Sequence, residues 1–164
     1  MIITLAFLIL ATLWDLKTRR IPNFLTLPTT FLGLAMNAYY AGLGGIKDSL
    51  LGLFLGVVLL ILPFALGGMG AGDVKLLAAV GALNGPSFVL YTFLYGAIAG
   101  GILAIFYALL RGQFSRVIAN FKTSFLGIAL KARTKGSPVM VTSGLKFPYG
   151  IAFLIGSVIT CWVR

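Results

Sequence analysis

Gly67-Gly68-Met69-Gly70-Ala71-Gly72-Asp73-Val74-Lys75 separates two strongly apolar segments and carries one of only three acidic residues in a chain of 164. Glycine tolerates conformations and close approaches that other residues do not. The run ends in a carboxylate at the edge of an apolar segment, where an ionisable side chain is expensive and is a functional candidate by default. Two readings stand at this point. Asp73 either caps the helix that follows, Asp being a favoured N-cap residue, or it does chemistry with a partner elsewhere in the chain.

Composition decides the environment. Hydrophobic residues make up 60% of the chain, charged residues 10%, and mean hydropathy is +1.07. Soluble domains carry about 25% charged residues, so an integral membrane protein is expected. A single membrane domain over residues 1–164 is the natural organisation at this length. With one cysteine (Cys161) and no histidine, a disulfide framework within the chain, a Cys/His zinc site and His-dependent nucleophilic catalysis are all excluded. Chemistry must come from three Asp, 13 Lys/Arg and neutral polar groups. The net charge of +10 comes with no nucleic-acid recognition motif, so basic membrane-flanking loops are its expected origin and nucleic-acid binding is not expected.

Working outward from the glycine run, six apolar spans emerge. The first opens at the N-terminus, without the basic region and cleavage site of a signal peptide. To reach a spanning length of about 17 residues it must continue through Asp15, which places Asp15 in its last turn. A basic turn follows, Lys17-Thr-Arg19-Arg20-Ile21-Pro22-Asn23, with Pro22 ending one helix and suiting the start of the next. Residues 23–42 form span two, Gly42-Leu-Gly-Gly45 the turn, and residues 49–66 span three. Span four runs from Asp73 to about Leu83, stopping at Asn84-Gly85-Pro86. Residues 87–110 form span five and residues 147–163 span six. The fold class expected is therefore an all-α membrane protein of six transmembrane helices. Between spans five and six, Phe114, Val117, Ile118, Phe121, Phe125 and Ile128 recur at steps of three and four. Their basic flanks suggest a cationic amphipathic helix within 111–146, lying against anionic lipid headgroups; an ordinary packing face is the alternative.

Six spans place 11 of the 13 basic residues on one side: Lys17, Arg19, Arg20, Lys75 and the seven between Arg111 and Lys146. By the positive-inside rule that side is the cytoplasm. Asp15 and Asp73, two crossings apart, then lie at similar depth on the cytoplasmic side, and Asp48 lies opposite. Two carboxylates at close range cannot both ionise and share a proton. One can act as base on a water while the other protonates a substrate carbonyl, with no metal or cofactor. The competing reading pairs Asp15 with Arg19 and leaves Asp73 as a cap.

Three stretches resemble the signatures of type IV prepilin peptidases, members of the GxGD aspartic membrane proteases: Asp15-Leu-Lys-Thr-Arg-Arg-Ile-Pro-Asn23, Gly70-Ala-Gly-Asp-Val-Lys75 and Phe147-Pro-Tyr-Gly150. The short form is similar to the peptidases of tight-adherence (Flp) pilus systems. The resemblance implies six transmembrane helices and removal of a short basic leader from prepilins at the cytoplasmic face of the cell membrane. It makes Asp15 and Asp73 the catalytic pair and Gly70 and Gly72 the glycines that admit substrate backbone. Lys75 is assigned to lipid headgroups or to an acidic substrate residue. Arg20 and Asn23 are expected to shape the first turn, a direct substrate role being the alternative, and Tyr149, opening span six, is expected to serve structurally, with ordering of the site through its hydroxyl as the alternative. Longer family members carry Cys-x-x-Cys pairs and also methylate the new N-terminus; that activity is not expected here. Presenilin-like relatives carry a Pro-Ala-Leu motif that is absent, whereas archaeal preflagellin peptidases share the first two signatures. Two other functions compete: a small transporter using intramembrane carboxylates, disfavoured by the lack of an inverted repeat, and a non-catalytic pilus-assembly protein.

Overall fold

The computed structural model describes residues 2–18, 21–65, 69–110 and 149–163. The described residues are helical, with no strand among them: α1 (Ile2–Thr18), α2 (Asn23–Ala65), α3 (Ala71–Asn84), α4 (Pro86–Leu110) and α5 (Tyr149–Val163). The chain divides into two compact units, Met1–Gly100 with Pro148–Arg164, and Gly101–Phe147. In the second unit, described as far as residue 110, the chain continues α4. The first unit holds everything discussed below. The amphipathic segment expected within 111–146 lies outside the described residues, as do Arg19 and Arg20.

α2 is two helical arms. Gly42 breaks it, with φ +56° and ψ −137°, a left-handed φ that glycine adopts without strain. The arms 23–41 and 43–65 run in opposite directions, as their contacts with α3 show. Along the first arm, Asn23 meets Lys75 and Asn37 meets Ala82; along the second, Ser49 meets Ala82 and Gly56 meets Ala78. The expected turn at 42–45 is thus tighter than its composition suggested. The helix resumes at once, so Lys47 and Asp48 belong to the second arm.

The other helices alternate in the same way. Thr4 of α1 bonds Asn84 at the end of α3 (2.8 Å from Asn84 Nδ2), while Asp15 lies by its start, so α1 and α3 are antiparallel. Residues 92, 96 and 100 of α4 meet residues 156, 153 and 152 of α5. Six arms of alternating direction therefore put residues 15–23, 69–75 and 149–150 at one end of the bundle. Residues 39–45 and 84–86 are at the other.

α3 is the central helix. Every residue from Leu76 to Ala82 is buried, as befits a helix apolar on all sides. Its neighbours approach backbone to backbone: Gly52 and Gly81 abut each other's carbonyls, Gly56 abuts Ala78, and Gly33 abuts Ala82. Small residues spaced four apart, as Gly52 and Gly56 are, permit this close helix packing.

At 14 residues, α3 is about 21 Å long, well short of a bilayer core of about 30 Å. Its last carbonyls therefore need partners from the bundle. Asn37 Nδ2 donates to Ala82 O (3.0 Å) and Leu83 O (3.2 Å), and Ser49 Oγ donates to Ala82 O (2.6 Å). Asn37→Leu is expected to destabilise the protein by about 1–3 kcal/mol, the range for stranding a buried acceptor. Ser49→Ala should cost about 1 kcal/mol or less, because Ala82 O keeps the Asn37 donor. Thermal unfolding in detergent, followed by helical circular dichroism, measures both; equal losses would contradict this division of the bonds.

Candidate active site

Asp73 sits in the first turn of α3 and is 9% exposed. The helix begins two residues before it, at Ala71, with Gly70 extended (φ −85°, ψ 155°) at the N-cap. Asp73 is therefore the third helical residue, which corrects the expectation of a span starting at Asp73 itself. It caps in a different sense from the one expected. The Gly70 N–H donates to Asp73 Oδ2 (3.0 Å), and the Asp73 N–H donates to Gly70 O (3.1 Å). This is the backward half of a capping box, in which a carboxylate at the third position satisfies the N-cap amide. Capping and a role in the site are thus compatible: one carboxylate oxygen is held by backbone, and the bond fixes the side chain's orientation.

Asp15 lies in the last turn of α1, half-buried, and is near enough for its charge to act on Asp73. Tyr149, first residue of α5 and half-buried, also interacts electrostatically with Asp73. Three helices that start or end at the same end of the bundle thus converge two carboxylates and a phenol. Asp48 lies at the far end, exposed, beside Gly85.

The remaining expected residues divide. Gly70 is exposed, and among the described residues the nearest side-chain atom to a Cβ built there is Asp73 Oδ2 at 3.5 Å. Gly72 is different: Ile21 occupies the space beside it. Lys75 Nζ donates to Asn23 Oδ1 (2.8 Å). This exposed bond joins the start of α2 to α3, and it gives both residues a structural use that neither headgroup nor substrate contact required. Arg20 lies outside the described residues.

Two residues near the site went unnoticed in the sequence. Thr12, one turn before Asp15, is buried with its hydroxyl unpaired. Its i−3 spacing to Asp15 was the available signal. Ile21 stands inside the first signature stretch but received no role there, since an apolar residue in a basic turn looks incidental. Gly150 faces both Thr12 and Asp15: a Cβ there would lie 3.4 Å from Thr12 Oγ1 and 3.5 Å from Asp15 Oδ2. Those are ordinary contact distances, so Gly150→Ala should fold normally. The added methyl would, however, take space beside the Asp15 carboxylate. We expect cleavage to fall about tenfold, a fraction of the roughly 10²–10⁴-fold that a whole acid–base group supplies, at an unchanged melting temperature; a simple kinetic assay beside a melting curve checks both halves.

The described helices thus form a bundle that brings two aspartates and a tyrosine to one end. The chain belongs to the type IV leader peptidase family, whose family model matches residues 2–105, a range that includes Asp15 and Asp73. It is 34% identical over 119 residues to a prepilin leader peptidase/N-methyltransferase of Neisseria gonorrhoeae, covering 68% of this chain and 41% of the relative. It is 33% identical over 120 residues to one of Escherichia coli K12, covering 69% and 53%. With a prepilin peptidase of Methanocaldococcus jannaschii it shares 32% identity over 140 residues, covering 77% and 39%. The chain thus spans roughly two fifths to a half of the length of these curated relatives. No solved structure matches it.

Proposed function

We propose that this protein is an aspartic endopeptidase that removes the short basic leader of type IV, Flp-like prepilins. The convergence of Asp15 and Asp73 from antiparallel helices at one end of the bundle carries this reading. One carboxylate, ionised, takes a proton from a water whose oxygen attacks the scissile carbonyl carbon. The other, protonated, donates to the carbonyl oxygen as the tetrahedral intermediate forms. On collapse, the C–N bond breaks, the amine leaves with a proton from the acid form of the pair, and the shared proton is restored. Tyr149 orders the pair, and the substrate backbone approaches over exposed Gly70.

The site faces the cytoplasm in a protein that crosses the cell membrane six times as a single peptidase domain. Two stretches among the described residues, Asn23–Ala65 and Pro86–Leu103, are long and apolar enough to cross, and the first contains the reversal at Gly42. Outward faces carry exposed Phe31, Phe54, Leu62 and Ile98, a surface suited to lipid rather than water. Aromatic pairs mark both ends, Trp14 with Phe24 near the site and exposed Tyr39 with Tyr40 opposite, as interfacial belts do. The basic residues of the site end meet anionic headgroups.

The test is cleavage of a pilin precursor by the purified chain in detergent, with the new N-terminus sequenced. Cleavage at one bond between the basic leader and the hydrophobic helix, by wild type and Asp48→Asn alike, is the expected result. An intact precursor incubated with folded wild-type protein would refute the reading.

A further inference from the structure

On the side where a Cβ would project, Gly72 is covered by Ile21. The position a Cβ would take there lies 3.1 Å from Ile21 Cβ, 3.3 Å from Ile21 N and 3.4 Å from Ile21 Cγ1. Ile21 is itself 8% exposed and belongs to the same apolar cluster as Phe7, Leu8, Leu76 and Leu77. Directly after it, Pro22 O accepts the Leu25 and Thr26 N–H groups (3.2 and 3.4 Å) and starts α2. Ile21 is therefore where the chain entering α2 is pinned to α3, six residues after Asp15 and next to the glycine that precedes Asp73.

We propose that Ile21 is a positioning residue for the carboxylate pair, seated on Gly72, and that Gly70 alone is the glycine over which substrate passes. The proposal rests on the peptidase reading above. A methyl group at residue 72 must push Ile21 aside by a few tenths of an ångström, because packed interiors resist added volume. Residue 72 adjoins Asp73 and residue 21 follows Asp15 by six positions, so the displacement is felt at the carboxylate pair. Small misplacements of a reacting group lower the chemical step steeply, whereas the contacts that bind the precursor are left alone. The signature is a loss in kcat, not a rise in KM.

The experiment measures kcat and KM for precursor cleavage by the full chain in detergent. The variants are Gly70→Ala, Gly72→Ala, Ile21→Ala, Ile21→Val and the Gly72→Ala/Ile21→Ala double. Gly72→Ala and Ile21→Ala should each lower kcat about tenfold with KM within about twofold of wild type. Gly70→Ala should act mainly on KM. Ile21→Val should recover most of the kcat lost in Ile21→Ala, since it keeps the branched Cβ that rests on Gly72. The double variant should lose less than the product of the singles, as contacting residues do. A Gly72→Ala effect confined to KM, or single effects that multiply, would overturn the proposal. If Gly72→Ala does not fold, Ile21→Ala decides alone: unchanged kcat in that folded variant is equally fatal. The peptidase reading fails by a separate result, full cleavage by Asp15→Asn.

Discussion

Asp73→Asn is expected to lower the single-turnover rate of precursor cleavage by at least about a thousandfold, within the range that acid–base groups supply, and Asp15→Asn to do the same. The loss would be chemical and not structural. An Asn at residue 73 keeps an amide oxygen to accept the Gly70 N–H that now reaches Asp73 Oδ2 at 3.0 Å, so the first turn of α3 survives. What it lacks is the ability to hold and release a proton. Because the two carboxylates would act as one unit, the double variant should be about as slow as either single, not slower by the product of their effects. Asp48→Asn, at the opposite end beside Gly85, should cleave at the wild-type rate. Rates come from single-turnover assays and folding from melting curves of the same preparations. A folded Asp15 or Asp73 variant that keeps a tenth or more of the wild-type rate would leave the pair without a catalytic role.

The second large effect concerns the scaffold. Gly81→Val should destabilise the bundle by about 3 kcal/mol, the upper part of the range for overpacking a filled interior, and cleavage should be lost with the fold. Gly81 and Gly52 abut each other's backbone carbonyls. A side chain at either position meets backbone, which cannot rotate away as a flexible side chain would. The two helices must part, and the one displaced is α3, which carries Asp73. Gly44→Ala is the matched control: its Cβ would meet nothing within 4 Å, and alanine is the better helix former. Denaturant or thermal unfolding in a fixed detergent should separate the two variants clearly. Equal stability would mean that the close approach of α2 and α3 does not hold the bundle.

The sequence by itself determined the helical class, the approximate limits of the apolar segments and that Asp15 and Asp73 lie at the same end of the bundle. Each of these depends on local or counted properties: hydropathy over a window, glycine and proline at turns, and the parity of crossings between Asp15 and Asp73. Most boundaries were legible to within a few residues, whereas span three, read from residue 49, begins at residue 43 directly after the break at Gly42. Asp15 does lie in the last turn of α1, while the α3 start was missed by two residues because Gly70 and Ala71 resemble a loop and yet supply the cap and the first helical residue. Only the tertiary structure decided which residues touch across the bundle. Lys75 bonds Asn23, 52 residues away; Asn37 and Ser49 satisfy the end of α3; Ile21 rests on Gly72. The physical reason is that periodicity and charge act along one helix. Contacts between helices depend on how far their backbones can approach, and here that is set by where glycines from different helices happen to face one another.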